Sequence, residues 1–156
     1  MTRTAAARLA AVTLVPGRAE GLAFVLAEPL SFWGGLDAAS GRIIDRWHPQ
    51  AGAVVAGRIL VMAAGRGSSS GSSVLAEAIR LGTGPAGIVL LTRDAIVTVG
   101  AMVARELYGI SCPVVTLAEP ADWASVTAAA RLSVDALPVD APSLDVGTAT
   151  AEIALS

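Results

Sequence analysis

Lysine and asparagine are absent from this 156-residue sequence, and all 11 of its basic residues are arginine. Without lysine, neither Schiff-base chemistry nor the lysine of a phosphate-binding P-loop is available. Without asparagine there is no N-glycosylation acceptor. The single cysteine, Cys112, permits no internal disulfide and cannot by itself ligate a metal cluster; it reads most simply as a buried apolar residue. His48 is the only histidine, so a His-rich zinc site is excluded and any Ser–His–Asp triad would have to use it. It sits beside Pro49 in a polar stretch and is expected at the surface or in a turn. Charge is scarce as well: 15% of residues, a net charge of −2 and no basic cluster, which argues against nucleic acid as the main partner. Long hydrophobic runs are missing too. Uncharged stretches such as 81–92 and 107–118 contain Gly and Pro and fall well short of the roughly 20 residues that span a bilayer. The N-terminal AAARLAAVTLV is interrupted by Arg8 and reads as a first strand, not as a signal peptide. These features fit a cytoplasmic protein that holds no metal of its own and makes no membrane contact.

What the chain does have is apolar residues: 54% of the total, with a mean hydropathy of +0.65. Its length suits one domain with a core of reasonable size. So apolar a chain is expected to bury part of its surface on another subunit. Residues 8–15 and 21–27 read as strands joined by a PGRAEG turn, and SFWGGLDAASGRIIDRWHPQAG as loops around a short strand. GRILVMAA, GIVLLT and PVVTL are continuous apolar runs, the mark of strands buried on both faces. Between them, Val74, Leu75, Ala78, Ile79 and Leu81 give one helix, starting at Ser72 or Ser73 and stopped by Gly82. Val99, Met102, Val103 and Leu107 give a second, started by Thr98 and closed near Gly109. A third helix opens at Pro120 and Asp122 and runs to about residue 130, followed by a last strand over 131–136. This alternation predicts an α/β fold with parallel strands and right-handed crossovers. Residues 1–140 are expected to form a single domain, and 141–156 a Pro-, Ser- and Thr-rich C-terminal tail lying loosely on its surface.

The stretch GRGSSSGSSVL, 65–75, joins a predicted buried strand to a predicted helix, a place where open α/β sheets bind ligands. A flexible linker does not belong inside such a unit. The Walker spacing needs the missing lysine, and the dinucleotide spacing needs a third glycine where Ser70 stands. What remains is an anion-binding turn with Arg66 beside it and several hydroxyls, each of which could equally serve only to cap the helix. Ser72 and Ser73 are the best cap candidates; Ser68 lies too early for that role.

Three motifs in order, PLSFWGGLDAASGRIID (29–45), AGRILVMAAGRGSSSGSSVL (56–75) and GTGPAGIVL (82–90), resemble the small-subunit family of aconitase X. The resemblance covers roughly residues 17–118. It implies an aconitase-like swivelling β/β/α domain with a largely parallel central sheet. It also implies a cytoplasmic hydro-lyase whose separate large subunit carries an iron or iron–sulfur group, while this chain binds none. Within the family the first serine after the Gly-basic-Gly stretch is the general base, which here is Ser68. Such an enzyme takes a weakly acidic proton next to a carboxylate and expels hydroxide, with a metal acting as Lewis acid on substrate oxygens. A serine can serve as base only where positive potential surrounds it, from turn N–H groups, the following helix terminus and Arg66.

Gly67 is expected to let backbone approach the substrate, and Ser69 and Ser72 to bind its carboxylate or to satisfy the turn. Gly34 and Gly35 are expected in a tight turn near partner or substrate. Asp37 stands either in the site wall or in a turn of its own, and Asp94 either orients Ser68 or caps the next helix. Trp33 and Trp47 read as core or interface residues rather than substrate stackers. The family has two reactions, dehydration of cis-3-hydroxy-L-proline and of phosphomevalonate, and GRGSSSGS with SFWGG favours the first. A non-catalytic anion-binding or assembly module is the alternative from another class.

Overall fold

Residues 5–139 and 149–156 are described by the computed structural model. Two long strands, β1 (Arg8–Val15) and β2 (Gly17–Val25), open the chain and are separated only by Pro16, so the PGRAEG turn expected here is mostly strand. A distorted helical turn, α1 (Phe32–Gly35), then leads to a small hairpin of β3 (Leu36–Asp37) and β4 (Arg42–Ile43). The alternating part follows: β5 (Ile59–Met62), α2 (Gly71–Leu81), β6 (Gly87–Leu90), α3 (Ala95–Tyr108) and β7 (Val114–Leu117). A 3-10 turn at Pro120–Asp122 precedes α4 (Trp123–Ala128), and β8 (Arg131–Ala136) and β9 (Ala151–Leu155) finish the described chain.

The main sheet closes on itself in the order β1-β7-β6-β5-β2-β8-β9. Strands β2, β5, β6 and β7 run parallel, whereas β1, β8 and β9 join antiparallel, so the expectation of a largely parallel sheet gives way to a mixed barrel. The physical reason is visible in the side chains. In β5, Ile59 and Val61 point into the barrel, while Leu60 and Met62 point out to α2 and α3; both faces are buried, hence the unbroken apolar run. In β8, Leu132, Val134 and Ala136 point inward, but Arg131, Ser133 and Asp135 face outward with no helix over them. That alternation belongs to a strand with one face toward solvent, which antiparallel pairing tolerates.

The last strand corrects the reading of 141–156 as a loose tail. Strand β9 pairs with both β1 and β8 and so closes the ring. Ala151 and Ile153 enter the barrel core, and Thr150 accepts two hydrogen bonds from Thr13, one from its N–H and one from its hydroxyl. The rest of that tail, 141–148, lies outside the described residues. Of the two readings of His48, the turn holds and the surface does not. It is buried, with Nδ1 accepting from the Gln50 N–H and Nε2 donating to the Glu28 carbonyl. Cys112 is buried as expected and its thiol donates to the Pro85 carbonyl. Among the described residues no helix is long and apolar enough to cross a membrane.

Because Ile153 is fully buried, Ile153→Ala is expected to lower the unfolding free energy by about 2–5 kcal/mol, the usual cost of emptying a core site. Urea denaturation measures it, and a loss below about 0.5 kcal/mol would mean a surface tail after all. Burial pushes the Cys112 thiol up from 9.0 to about 12. The fold therefore keeps a proton that the unfolded chain releases. That contribution to stability is whole below about pH 9 and is lost as pH rises toward about 12. Denaturation at pH 8 and pH 11 should show a steeper alkaline loss for the wild type than for Cys112→Ala.

Candidate active site

Strands β2, β5 and β6 are parallel neighbours, so the segments leaving their carboxyl ends emerge on one edge of the barrel. After β2 comes 26–35, containing SFWGG; after β5 comes 63–70, containing GRGSSS; after β6 comes 91–94. Backbone bonds stitch them together: Leu26 N–H donates to the Val61 carbonyl, and both Leu91 and Thr92 donate to that of Ala63. Gly67 has φ +91, and a Cβ there would overlap Ser31 Oγ. The first helical residue of α2, Gly71, lies against Phe32 and Ile96. The glycines thus let the serine loop seat directly on the SFWGG loop, where the buried Phe32 anchors the contact and Trp33 turns outward.

Within the serine tract, carbonyls of Ser68, Ser69 and Ser70 accept from the N–H groups of Gly71, Ser72 and Ser73, so the tract winds straight into α2. The Ser68 side chain is exposed, and its Oγ accepts the Ser70 N–H at 3.2 Å. Among the described residues the N–H groups of Ser68 and Ser69 have no protein acceptor and are free for an anion. Ser68 therefore occupies a turn with positive potential at a helix N-terminus. Arg66, two residues earlier, is half exposed and pairs with Asp45 at 3.6 Å. Ser69 is exposed, with no side-chain bond among the described residues. Ser72 is half-buried; it neither caps the helix, which starts earlier, nor stands free, because its hydroxyl donates to the Ile96 carbonyl and ties α2 to α3.

The other expected site residues divide. Gly34 is exposed in the SFWGG turn with φ +76, near the serine loop. Gly35 is buried against Leu30, and its carbonyl receives the Ile44 N–H, which makes it a packing residue. Asp37 is not brought to Ser68. Its carboxylate accepts from Ala39 N–H and the Ser40 hydroxyl, and those bonds hold its pKa below the ordinary value. Its hairpin packs at Thr83, past the far end of α2. Asp94 caps α3 through the Val97 N–H, replacing Thr98 as the helix start. The carboxylate also backs Gly65, where a Cβ would stand 2.6 Å from Oδ2. Two residues were not singled out from sequence: Ser31, under Gly67, and Asp45, on Arg66. Both lie inside the 29–45 motif, and no local pattern marks them, because their partners are the loop residues 66 and 67 far along the chain. Among the described residues no group of three His, Cys, Asp or Glu side chains converges as a metal site.

The family model of the aconitase X swivel domain matches residues 8–140, which include the exposed serine turn and the SFWGG loop beneath it. The chain belongs to that family. It is 46% identical over 121 residues to the cis-3-hydroxy-L-proline dehydratase of Pseudomonas aeruginosa, covering 78% of this chain and 21% of that protein. The protein of the same name from Hypocrea jecorina is 43% identical over 104 residues, 67% of this chain and 17% of that one. The phosphomevalonate dehydratase small subunit of Methanothermobacter thermautotrophicus is 40% identical over 88 residues, 56% of this chain and 67% of that one. The chain thus spans about a fifth of the two hydroxyproline dehydratases and two thirds of the small subunit. In structure, the swivel fold matches Thermococcus kodakaraensis aconitase X in its holo-form with a TM-score of 0.71 at 27% identity, covering 96% of this chain and 98% of that chain. It matches the solution structure of a UPF0107 protein at 0.74 and 31% identity, covering 96% and 99%.

The glycine at position 67 can be tested against a matched control. Gly34→Ala meets open space and bears only the left-handed backbone cost of about 1 kcal/mol. Gly67→Ala bears that cost and the overlap with Ser31, and is expected to lose a further 1–3 kcal/mol or so. Equal losses in thermal or urea denaturation would show that the two loops are not in contact.

Proposed function

We propose that this aconitase X swivel domain is the small component of a cytoplasmic hydro-lyase, and that Ser68 is its general base. The observation that carries the reading is the exposed Ser68 hydroxyl, held by the Ser70 N–H in the turn that starts α2. A neutral serine is too weak a base. Here the amides of the turn and the helix terminus lower the cost of the alkoxide. The free N–H groups of Ser68 and Ser69 and the Arg66 guanidinium suit a substrate carboxylate. The alkoxide then takes the proton from the carbon bearing that carboxylate. The C–H pair becomes the new C=C bond, and hydroxide leaves the adjacent carbon. For cis-3-hydroxy-L-proline these are C2 and C3. The longer match to the hydroxyproline dehydratases, 121 and 104 residues against 88, favours this substrate over phosphomevalonate.

In this reading the iron or iron–sulfur group is held by a large subunit and not by this chain. The edge around Ser68 supports such a partner. Trp33 is 59% and Trp47 91% exposed, with Ile44 half exposed between them in sequence. Apolar side chains of this size on one rim belong under another polypeptide. The P. aeruginosa relative, of which the matched region is 21%, has length to spare for it.

The test is reconstitution with an aconitase X large subunit, offering cis-3-hydroxy-L-proline and phosphomevalonate in turn. The complex is expected to dehydrate the first and the isolated chain neither. Ser68→Ala should assemble normally while turnover falls at least about 10²-fold. Undiminished turnover would move the base elsewhere. Preference for phosphomevalonate would exchange the substrate, and binding without turnover of either would leave an anion-binding module.

A further inference from the structure

The ion pair between Arg66 and Asp45 links the reactive loop to a part of the chain that the dehydratase reading leaves without a role. Asp45 is held from three sides. Its Oδ1 accepts the Trp47 N–H at 2.9 Å, its own carbonyl accepts the His48 N–H, and the preceding Ile44 N–H is bound by the Gly35 carbonyl. The buried His48 is clamped in turn between Glu28 and Gln50. Gln50 spans back to the end of β2, its amide donating to the Val25 carbonyl and its oxygen accepting the Ala27 N–H. The carboxylate is thereby fixed to the barrel. Arg66, by contrast, stands between two glycines in an exposed loop. Among the described residues Asp45 is its one charged partner.

We infer that Asp45 is a positioning residue: it holds Arg66 in the orientation that receives the substrate carboxylate, a role that rests on the dehydratase reading above. At 3.6 Å the pair is an attraction without a close hydrogen bond, so the guanidinium keeps its N–H donors for a second carboxylate. A free arginine carries about 2 kcal/mol of rotamer entropy, and an anchored one has lost part of it before the substrate arrives. Asp45 acts on binding and not on proton transfer, because it touches neither Ser68 nor the turn amides among the described contacts.

Asp45→Asn is the informative variant, because the amide oxygen still accepts the Trp47 N–H and only the charge is lost. In the reconstituted complex it is expected to raise KM for the carboxylate substrate about tenfold and to leave kcat within about twofold. Asp45→Glu, which restores the charge, should recover part of the loss. In an Arg66→Gln background Asp45→Asn should add little, since the two act as one unit. An unchanged or lowered KM, or full additivity with Arg66→Gln, would overturn the inference; a lowered KM would mean that Asp45 competes with substrate for Arg66. A second readout is independent of turnover. In the isolated chain, NMR relaxation of the Arg66 Nε–Hε group should report restricted motion in the wild type and free motion in Asp45→Asn. Identical relaxation sinks the positioning role even if the dehydratase reading stands. If Ser68→Ala keeps full activity while Arg66 still loses its order in Asp45→Asn, the catalytic reading fails and the anchoring of Arg66 survives.

Discussion

Parallel pairing of β2, β5 and β6 is the constraint on which the site depends. Each of these strands ends at the same edge of the barrel, so three segments far apart in sequence must leave it side by side. The register is hard to shift. Leu60 and Met62 face the helices and Ile59 and Val61 the barrel interior, and a slip by one residue would exchange the two sets. The serine loop, the SFWGG loop and the Asp94 cap therefore inherit their positions from two apolar cores, and the polar groups of the loops complete the fit. Arg66 and Asp45, 21 residues apart, meet for the same reason.

On that edge, affinity for negative charge is built chiefly from backbone. The chain has few charged residues and no lysine, so positive potential near Ser68 comes from turn amides and the start of α2, with one arginine added. Amides fixed by backbone structure need little reorganisation when charge develops, the property the proposed serine base requires. A lone arginine on a flexible stem does not share that property. The rigid link from β2 through Gln50, His48 and Asp45 supplies it.

The same edge accounts for the high apolar content. Much of it fills two cores, one inside the barrel and one beneath α2 and α3. Trp33, Ile44 and Trp47 are left over at the rim of the site, held by a backbone that is well bonded. The SFWGG loop exposes Trp33 while burying the neighbouring Phe32, which supports the proposed contact with a large subunit.

From sequence, the inner strands, the helices α2 and α3 and their glycine stops at Gly82 and Gly109 were legible, because burial on both faces and the helical period are local patterns. Ser68 stands out in the sequence by its place in an ordered set of motifs, and the fold leaves its hydroxyl exposed beside a turn amide. The closure of the barrel was not. The alternation in AEIAL is short and follows a Pro- and Ser-rich stretch, and only pairing with β1 and β8 gives Ile153 a core to enter. Asp37 and Asp45 look alike in the sequence, both acidic and both in the same motif. Tertiary structure sends Asp37 to its own hairpin turn and Asp45 to Arg66. His48 lies in a turn, as its sequence context suggests, but its burial follows from the hydrogen bond its ring makes to Glu28, beyond the end of β2. Local patterning determines which segments become strands and helices; which loops meet is decided by strand order and direction, because those pairings join residues far apart in the chain and leave no periodic trace in it.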